Sequence, residues 1–201
     1  MTQAGDDGQL KYFPGAKPTV DGLAILETLE IVSRSKFTMA EPRVGQLAPM
    51  GTIQMVTVHH TGFPQAWLVD GFSATARHLE EIRQLHCDSA GRNWADIAYH
   101  FAVDRRGRVW QLRDVRYQGA HVKNHNANNI GVVALGNFDL QQPPPMQSDA
   151  LLALLEFMIS AYGLSDITTH RQLADTPTSC PGANLQRLLD RHARNLKKRL
   201  Q

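Results

Sequence analysis

The chain has 201 residues, of which 42% are hydrophobic and 20% charged, and its formal net charge at pH 7 is +2. This length suits one domain with a sizeable buried core, and the composition is that of an ordinary globular protein. The small charge does not indicate a nucleic-acid-binding protein. No apolar run approaches the roughly 20 residues that a membrane-spanning helix needs.

The hydrophobic periodicity predicts helices and strands along most of the chain. Residues 1–19 are rich in Gly, Pro and Asp, which is typical of a mobile arm, and Asp21 is a candidate N-cap for a short helix after it. Four helices are expected, over residues 20–30, 73–87, 147–162 and 185–200. Five strands are expected, over residues 52–59, 97–103, 108–112, 129–135 and 167–169.

The connections between these elements indicate the fold class. Residues 104–107 form a turn signal between two strands, which predicts a β-hairpin, whereas the remaining strands are linked through helices. This mixture predicts a single α/β domain with a central mixed β-sheet flanked by about three helices. We therefore expect an N-terminal arm with a possible short helix over 1–30 and one functional domain over 31–201.

The N-terminus and the cysteines bear on the compartment. The first residues lack both a basic start and an apolar stretch, so an ordinary secretory signal is not expected. The chain has only two cysteines, Cys87 and Cys180. If Cys180 binds a metal, Cys87 has no partner, and the chain does not need an oxidising compartment.

Three residues are candidate metal ligands: His59, His170 and Cys180. Two imidazoles and one thiolate are one ligand short of the four that zinc usually takes, and an open fourth position distinguishes a catalytic zinc site from a structural one. Because successive side chains of a strand point to opposite faces, His59 and His60 cannot share one role. The alternative is that each histidine is a hydrogen-bonded structural residue and that Cys180 is a small buried hydrophobe.

Five segments, taken together and in order, resemble a known family. They are IVSRSKF at 31–37, VTVHHT at 56–61, WADIAYHF with DRRG at 94–107, GAHVKNHN with IGVVALG at 119–136, and HRQ with SCPG at 170–182. Together they resemble the N-acetylmuramoyl-L-alanine amidases, the family that contains the peptidoglycan recognition proteins and the amidase-type phage lysozymes. Phe37 stands where the recognition proteins usually carry Trp. The resemblance extends from about residue 31 to the C-terminal helix.

The resemblance implies a zinc site and two catalytic residues. His59, His170 and Cys180 would hold one Zn²⁺ per chain, with Tyr99 and Thr178 close to the reacting groups. The interval between His170 and Cys180 is two residues longer than in the family members considered, which bears on the alignment of Thr178. Without the resemblance, Tyr99 could equally be a core aromatic and Thr178 a turn residue.

The resemblance also implies peptidoglycan or muropeptide as the substrate. The residues expected to contact it are His60, Asn93, Trp94, Arg113 and His121. Arginine suits the carboxylate of a meso-diaminopimelate stem because its planar fork binds carboxylate bidentately, although Arg113 could instead be a solvated side chain. The pair Asn93 and Trp94 mixes the residues that the family uses for the two stem-peptide types, so it does not distinguish them.

The implied reaction is hydrolysis of the amide bond between muramic acid and L-alanine. A non-catalytic recognition protein is one alternative, and such proteins generally lose the cysteine ligand. A cytoplasmic muropeptide-recycling amidase is another, and those enzymes generally have Asp in place of Cys180 and Glu in place of Tyr99. Some phage lysozymes of the family also bind an RNA polymerase, and no feature of this sequence tests that role.

Expectations about location and partners follow from the same resemblance. The chain lacks the cysteine pair that often follows the first zinc histidine in animal recognition proteins, which favours a bacterial or phage protein. Without a classical signal peptide, it is expected to act on the cell wall or periplasm after non-classical delivery, or otherwise in the cytoplasm. A cognate immunity or regulatory protein is a further candidate partner. Neither nucleic-acid binding nor a membrane span is expected.

Overall fold

The computed structural model describes residues 8–165 and 167–199. Its centre is a sheet of six strands: β1 Ile31–Val32, β2 Met55–His60, β3 Phe101–Val103, β4 Val109–Gln111, β5 Asn129–Ala134 and β6 Thr168–Thr169. The strands lie in the order β1-β4-β3-β5-β2-β6. Only the β3–β4 hairpin is antiparallel, and all other neighbouring strands run parallel. The sheet is therefore mixed, as the sequence predicts.

Five helices accompany the sheet in the described part of the chain: α1 Val20–Glu27, α2 Phe72–Cys87, α3 Pro145–Tyr162, α4 His170–Leu173 and α5 Ala183–Arg199. Residues of α1, α3 and α5 share one apolar layer with the sheet, to which they contribute Leu26, Leu154 and Leu185. Leu79 of α2 belongs to a second layer, which contains Trp110 and Val133. The predicted single α/β domain is confirmed. No described helix combines the length and the apolar character that crossing a membrane requires.

Strand β2 separates the two layers by the alternation of its side chains. Val56 and Val58 belong to the layer shared with α1, α3 and α5. His59 pairs with Val133 of β5, a residue of the α2 layer. Because paired residues of neighbouring strands point to the same face, His59 lies on the α2 side of the sheet and His60 on the opposite side. The predicted division of the two histidines follows from this register.

The expected mobile arm over 1–19 is wrong for the described residues 8–19. The Phe13 side chain is only 1% exposed, stacks on Phe101 of β3 at 4.9 Å between ring centroids and meets Phe157 of α3 edge-on at 4.7 Å. The Lys17 N–H donates to the Ala161 carbonyl at 2.7 Å. Burying one phenyl ring is worth about 1.5–3 kcal/mol, so this segment is anchored. Both sides of the predicted division at residue 30 contribute to one core, and residues 1–7 lie outside the described part.

Element boundaries agree with the sequence where local signals are strong. Helix α3 ends at Gly163, whose φ of 64° is the left-handed conformation that glycine adopts at a helix C-cap. Gly107, with φ of 82°, closes the turn between β3 and β4. Strand β5, which the sequence predicts over 129–135, is buried along its whole length. The sequence reasoning did not predict β1 or α4, because two paired residues and a single helical turn are too short to show periodicity.

Candidate metal centre and adjoining cleft

Three side chains from different elements converge at the carboxyl end of β2. One ligand atom from each of His59, His170 and Cys180 lies within 4.8 Å of the other two. His59 belongs to β2, and His170 is the first residue of α4, immediately after β6. Val58 and Thr169 pair across these two parallel strands, so each histidine comes directly after a paired residue. The sheet itself places the two imidazoles side by side.

Hydrogen bonds fix both the second histidine and the cysteine. Thr169 and Gln172 form a capping box at the start of α4, in which the Thr169 N–H donates to the Gln172 Oε1 at 2.9 Å. The Cys180 Sγ accepts from the His60 N–H at 3.4 Å and lies 3.7 Å from the His59 Nδ1. The Thr178 Oγ1 accepts from the Cys180 N–H at 3.2 Å. The loop that carries Cys180 is thereby held against β2.

The protonation of the three groups fits a metal. Burial, followed by the neighbouring His121, lowers the pKa of His59 well below its ordinary value, and burial also lowers the pKa of His170. Both imidazoles are therefore neutral at pH 7 and can donate a lone pair. Burial raises the pKa of the Cys180 thiol to about 12, but a thiol that coordinates a divalent cation is deprotonated outright. This donor set suits zinc with one position left for water or substrate.

A cleft of about 480 Å³ opens beside these ligands. Its walls are formed by His86, Arg92, Trp94, Ala98, Tyr99, Ala120, His121, Lys123, Asn126 and His170. The Tyr99 ring centroid lies 5.2 Å from that of His59. Burial raises the pKa of Tyr99 above its ordinary value, so the phenol keeps its proton and can act as a hydrogen-bond donor. Tyr99 thus places a protonated phenol in the cleft beside His59.

Of the five residues expected to contact substrate, Trp94 and His121 line the cleft. The Trp94 ring lies 5.1 Å from that of His86. Its neighbour Asn93 is turned away, and its Oδ1 accepts from the Arg43 Nη1 at 3.0 Å. Asn93 does not line the cleft, and its side chain instead ties the loop before Trp94 to Arg43.

Arg113 does not line the cleft either. Its side chain is only 4% exposed. The guanidinium donates to the carbonyls of Ile97 at 2.8 Å and Asp96 at 2.9 Å, and also to that of Gln118. Because these bonds tie the guanidinium to backbone carbonyls below the surface, Arg113 supports the wall of the cleft and does not present its fork to a ligand.

His60 lies on the far side of β2 from the cleft. Its Nδ1 accepts from the Phe138 N–H at 3.2 Å, and its ring is tilted over that of Phe138. Burial lowers the pKa of His60 to about 4, so it is a neutral structural acceptor. The structure therefore does not bring His60 to the cleft, and its orientation agrees with the expectation from strand alternation that the two histidines have different roles.

The sequence analysis did not identify four polar residues that line the cleft: His86, Arg92, Lys123 and Asn126. His86 lies near the end of the helix predicted over 73–87, whose hydrophobic pattern indicates packing and no contact with a ligand. The Arg92 guanidinium lies 4.9 Å above the Trp94 ring, a cation–π distance that orders the charge. A cation two residues before a candidate cleft tryptophan is a signal that could have indicated it. Arg92, rather than Arg113, is the arginine that reaches the cleft.

Comparison with known proteins agrees with this arrangement. The model of the family described as N-acetylmuramoyl-L-alanine amidase matches residues 49–183, so the chain belongs to that family. The endolysin of Enterobacteria phage K11 is 35% identical over 124 residues, which cover 57% of this chain and 79% of the endolysin. The endolysin of Enterobacteria phage T3 is 31% identical over 147 residues, which cover 71% of this chain and 89% of the endolysin.

A similar fold occurs among solved structures. The bumblebee peptidoglycan recognition protein PGRP-SA superposes with a TM-score of 0.70 and 26% sequence identity, covering 81% of this chain and 94% of that protein. The chain is thus similar in sequence to phage endolysins and similar in fold to an animal peptidoglycan recognition protein.

Proposed function

We propose that this protein is a zinc-dependent N-acetylmuramoyl-L-alanine amidase that hydrolyses the amide bond between muramic acid and L-alanine in peptidoglycan. The observation that carries the proposal is the convergence of His59, His170 and Cys180 at one end of a cleft, beside a protonated Tyr99. Membership in the amidase family and similarity to phage endolysins support it. The proposed site of action is the cell wall.

The chemistry divides between the metal and the side chains. Zinc held by the three ligands would polarise the amide carbonyl and lower the pKa of its bound water to about 7. Tyr99 would donate its phenolic proton in a hydrogen bond to the oxyanion that forms when the carbonyl is attacked. The Thr178 hydroxyl accepts from the Cys180 N–H and could in turn donate its own hydrogen to water or the oxyanion.

The rest of the cleft suits a peptide that carries carboxylates. Arg92 and Lys123 bring positive charge to its walls, and Trp94 offers an aromatic face. Arginine pairs with a carboxylate through two parallel N–H bonds. We therefore assign the stem peptide to this cleft, with its amide bond at the metal end and its carboxylates toward the two cations.

The test is an incubation of purified sacculi with the wild-type protein, with an EDTA-treated sample and with two cysteine variants. Mass spectrometry would follow the release of free stem peptides. We expect release by the wild type, loss of release after EDTA or in Cys180→Ala, and recovery when zinc is restored to the EDTA-treated sample. Cys87→Ala removes the other cysteine, which lies outside the cleft, and should release stem peptides like the wild type.

The outcomes separate the competing roles. A zinc-loaded wild type that binds sacculi without releasing stem peptides would overturn the amidase proposal in favour of a recognition protein. Release that survives both EDTA and Cys180→Ala would overturn the zinc mechanism and leave only the amidase activity.

A further inference from the structure

His121 connects the candidate metal centre to the backbone of β5. Its Nδ1 lies 3.0 Å from the His59 Nε2, and its Nε2 lies 3.2 Å from the Asn129 carbonyl oxygen. A carbonyl only accepts, so the hydrogen of the His121 ring is on Nε2 and its Nδ1 is the acceptor. The His59 Nε2 must then carry a hydrogen and donate it. This arrangement leaves the lone pair of His59 on Nδ1, the atom that faces Cys180.

The His121 ring occupies a slot that two glycines create. A Cβ at Gly119 would lie 2.4 Å from the His121 Cδ2, and a Cβ at Gly131 would lie 2.5 Å from the same atom. Contacts this short do not occur between real side chains, so any larger residue at either position would displace the ring. Neither glycine has a positive φ. Their role here is to provide space for the imidazole, not a special backbone conformation.

The groups that hold the ring are themselves fixed. The His121 N–H donates to the Asn126 Oδ1 at 2.9 Å. The side chain of Asn129 accepts from the Thr57 Oγ1 at 2.9 Å and donates to the His125 carbonyl at 2.8 Å. The carbonyl that receives the His121 hydrogen therefore belongs to a residue anchored on both sides, and the orientation of the imidazole is determined by a connected network.

We propose that His121 is a positioning residue that fixes the tautomer and the ring orientation of His59, so that the His59 Nδ1 is presented to the metal. The inference rests on the proposed zinc centre. Hydrogen bonds to the second nitrogen of a metal-bound histidine set its tautomer and raise its basicity as a ligand. Both ring nitrogens of His121 are engaged with the protein, so its part in the cleft is to orient a ligand of the metal.

The first experiment measures zinc affinity by competition with a chelating indicator. His121→Leu retains bulk but has no acceptor, and we expect its dissociation constant for zinc to rise about 10- to 100-fold. His121→Asn retains an oxygen acceptor and an N–H donor and should recover most of that loss. The matched control is His125→Leu, a half-buried histidine of the same loop whose ring bonds to Asp175 and not to a candidate ligand, and it should bind zinc like the wild type. Equal affinities of the Leu and Asn variants would overturn the inference.

A second measurement reads the histidine tautomers directly. Long-range ¹H–¹⁵N correlation spectra of the zinc-free wild type report which nitrogen of each histidine carries the hydrogen. We expect His59 as the Nε2–H tautomer with Nδ1 unprotonated, and the same spectrum of His121→Leu should show this preference lost. His59 as the Nδ1–H tautomer in the wild type would overturn the inference outright.

The results also distinguish this inference from the proposed function. A wild type that binds no zinc refutes the zinc centre itself. A wild type that binds zinc, together with a His121→Leu variant that binds it equally well, refutes only the positioning role and leaves the amidase proposal intact.

Discussion

His59 and His60 are neighbours in β2, and the sheet gives them opposite roles. His59 faces the α2 side, where it meets His170 and Cys180 at the end of the cleft. His60 faces the other side, where its ring accepts a backbone N–H and its own N–H holds the sulfur of Cys180. The two side chains are identical and both are neutral. Position in the strand alternation, and not residue type, therefore decides which histidine is available to a metal.

Removing each histidine in turn tests whether His59 and His60 have different roles, and it should produce the largest effect. His59→Ala should lose stoichiometric zinc and, with it, the release of stem peptides from sacculi, because two ligands remain of three. His60→Leu should keep both properties, because its ring does not reach the metal side. Metal content by elemental analysis, with release measured in parallel, checks this expectation. Zinc loss in His60→Leu and not in His59→Ala would reverse the assignment.

The next largest effect concerns the aromatic beside His59. Tyr99→Phe removes the phenolic donor and leaves the ring, so kcat for stem-peptide release should fall about 100- to 1,000-fold. Zinc affinity should stay unchanged because the tyrosine is not one of the three ligands. Steady-state release on a soluble muropeptide would provide kcat. A Tyr99→Phe variant as fast as the wild type would exclude the hydroxyl from the reaction.

Substitution of His60, on the side of β2 opposite the cleft, should lower the stability of the fold and leave activity unchanged. His60→Leu leaves the buried Phe138 N–H without its acceptor, and an unsatisfied buried group of this kind costs about 1–3 kcal/mol. Urea unfolding of the zinc-free protein would measure the loss in the free energy of unfolding. His125→Leu, a change at a half-buried histidine whose ring bonds only to the exposed Asp175, is the control and should shift the midpoint less than His60→Leu does. An unchanged midpoint for His60→Leu would mean that the hydrogen bond contributes nothing.

The smallest expected effect is a pH dependence at another packed histidine. His100 is buried, accepts from the Gly131 N–H and bonds to the Tyr117 carbonyl, and burial lowers its pKa from 6.5 to about 4. The folded protein keeps His100 neutral while the unfolded chain binds a proton below pH 6.5. The contribution of neutral His100 to the free energy of unfolding is thus present above pH 6.5 and is lost as the pH falls toward 4.

Between pH 6.5 and 5.5 the His100 contribution to the free energy of unfolding falls by about 1 kcal/mol. Urea unfolding of the zinc-free wild type and of His100→Asn across that interval would reveal it, and the variant should show the shallower slope. Equal slopes for the two proteins would assign the pH dependence to other groups.

The sequence predicts those parts of the fold that carry a strong local signal. The alternation of β2, the buried run of β5 and the glycine that ends α3 are each visible in a few residues. The docking of Phe13 is not visible in the sequence, because a single aromatic residue among Gly and Pro shows no hydrophobic periodicity. Its burial depends on a groove between β3 and α3 that only the folded chain provides.

The candidate site likewise contains residues that the sequence predicts and residues that only the folded structure reveals. The ligand types and their neighbouring motifs indicate His59, His170 and Cys180, which the structure brings together. The fates of the two arginines are decided by tertiary contacts: Arg113 satisfies backbone carbonyls in the wall, whereas Arg92 reaches the cleft. Residue type suggests carboxylate binding for either one, so sequence reasoning cannot choose between them.

The pairing of Val58 with Thr169 has a consequence for how such a protein can change. The separation of the two imidazole ligands is set by the spacing between adjacent parallel strands, about 4.8 Å, and not by the chain that connects them. Insertions or exchanges in the long connections between His59 and His170 can therefore alter the cleft without altering this separation. The position of the Cys180 thiol is not fixed by the sheet, since Cys180 lies in a loop. Loop grafts that retarget the cleft should retain the histidine pair, and the segment between His170 and Cys180 is the one to leave at its present length.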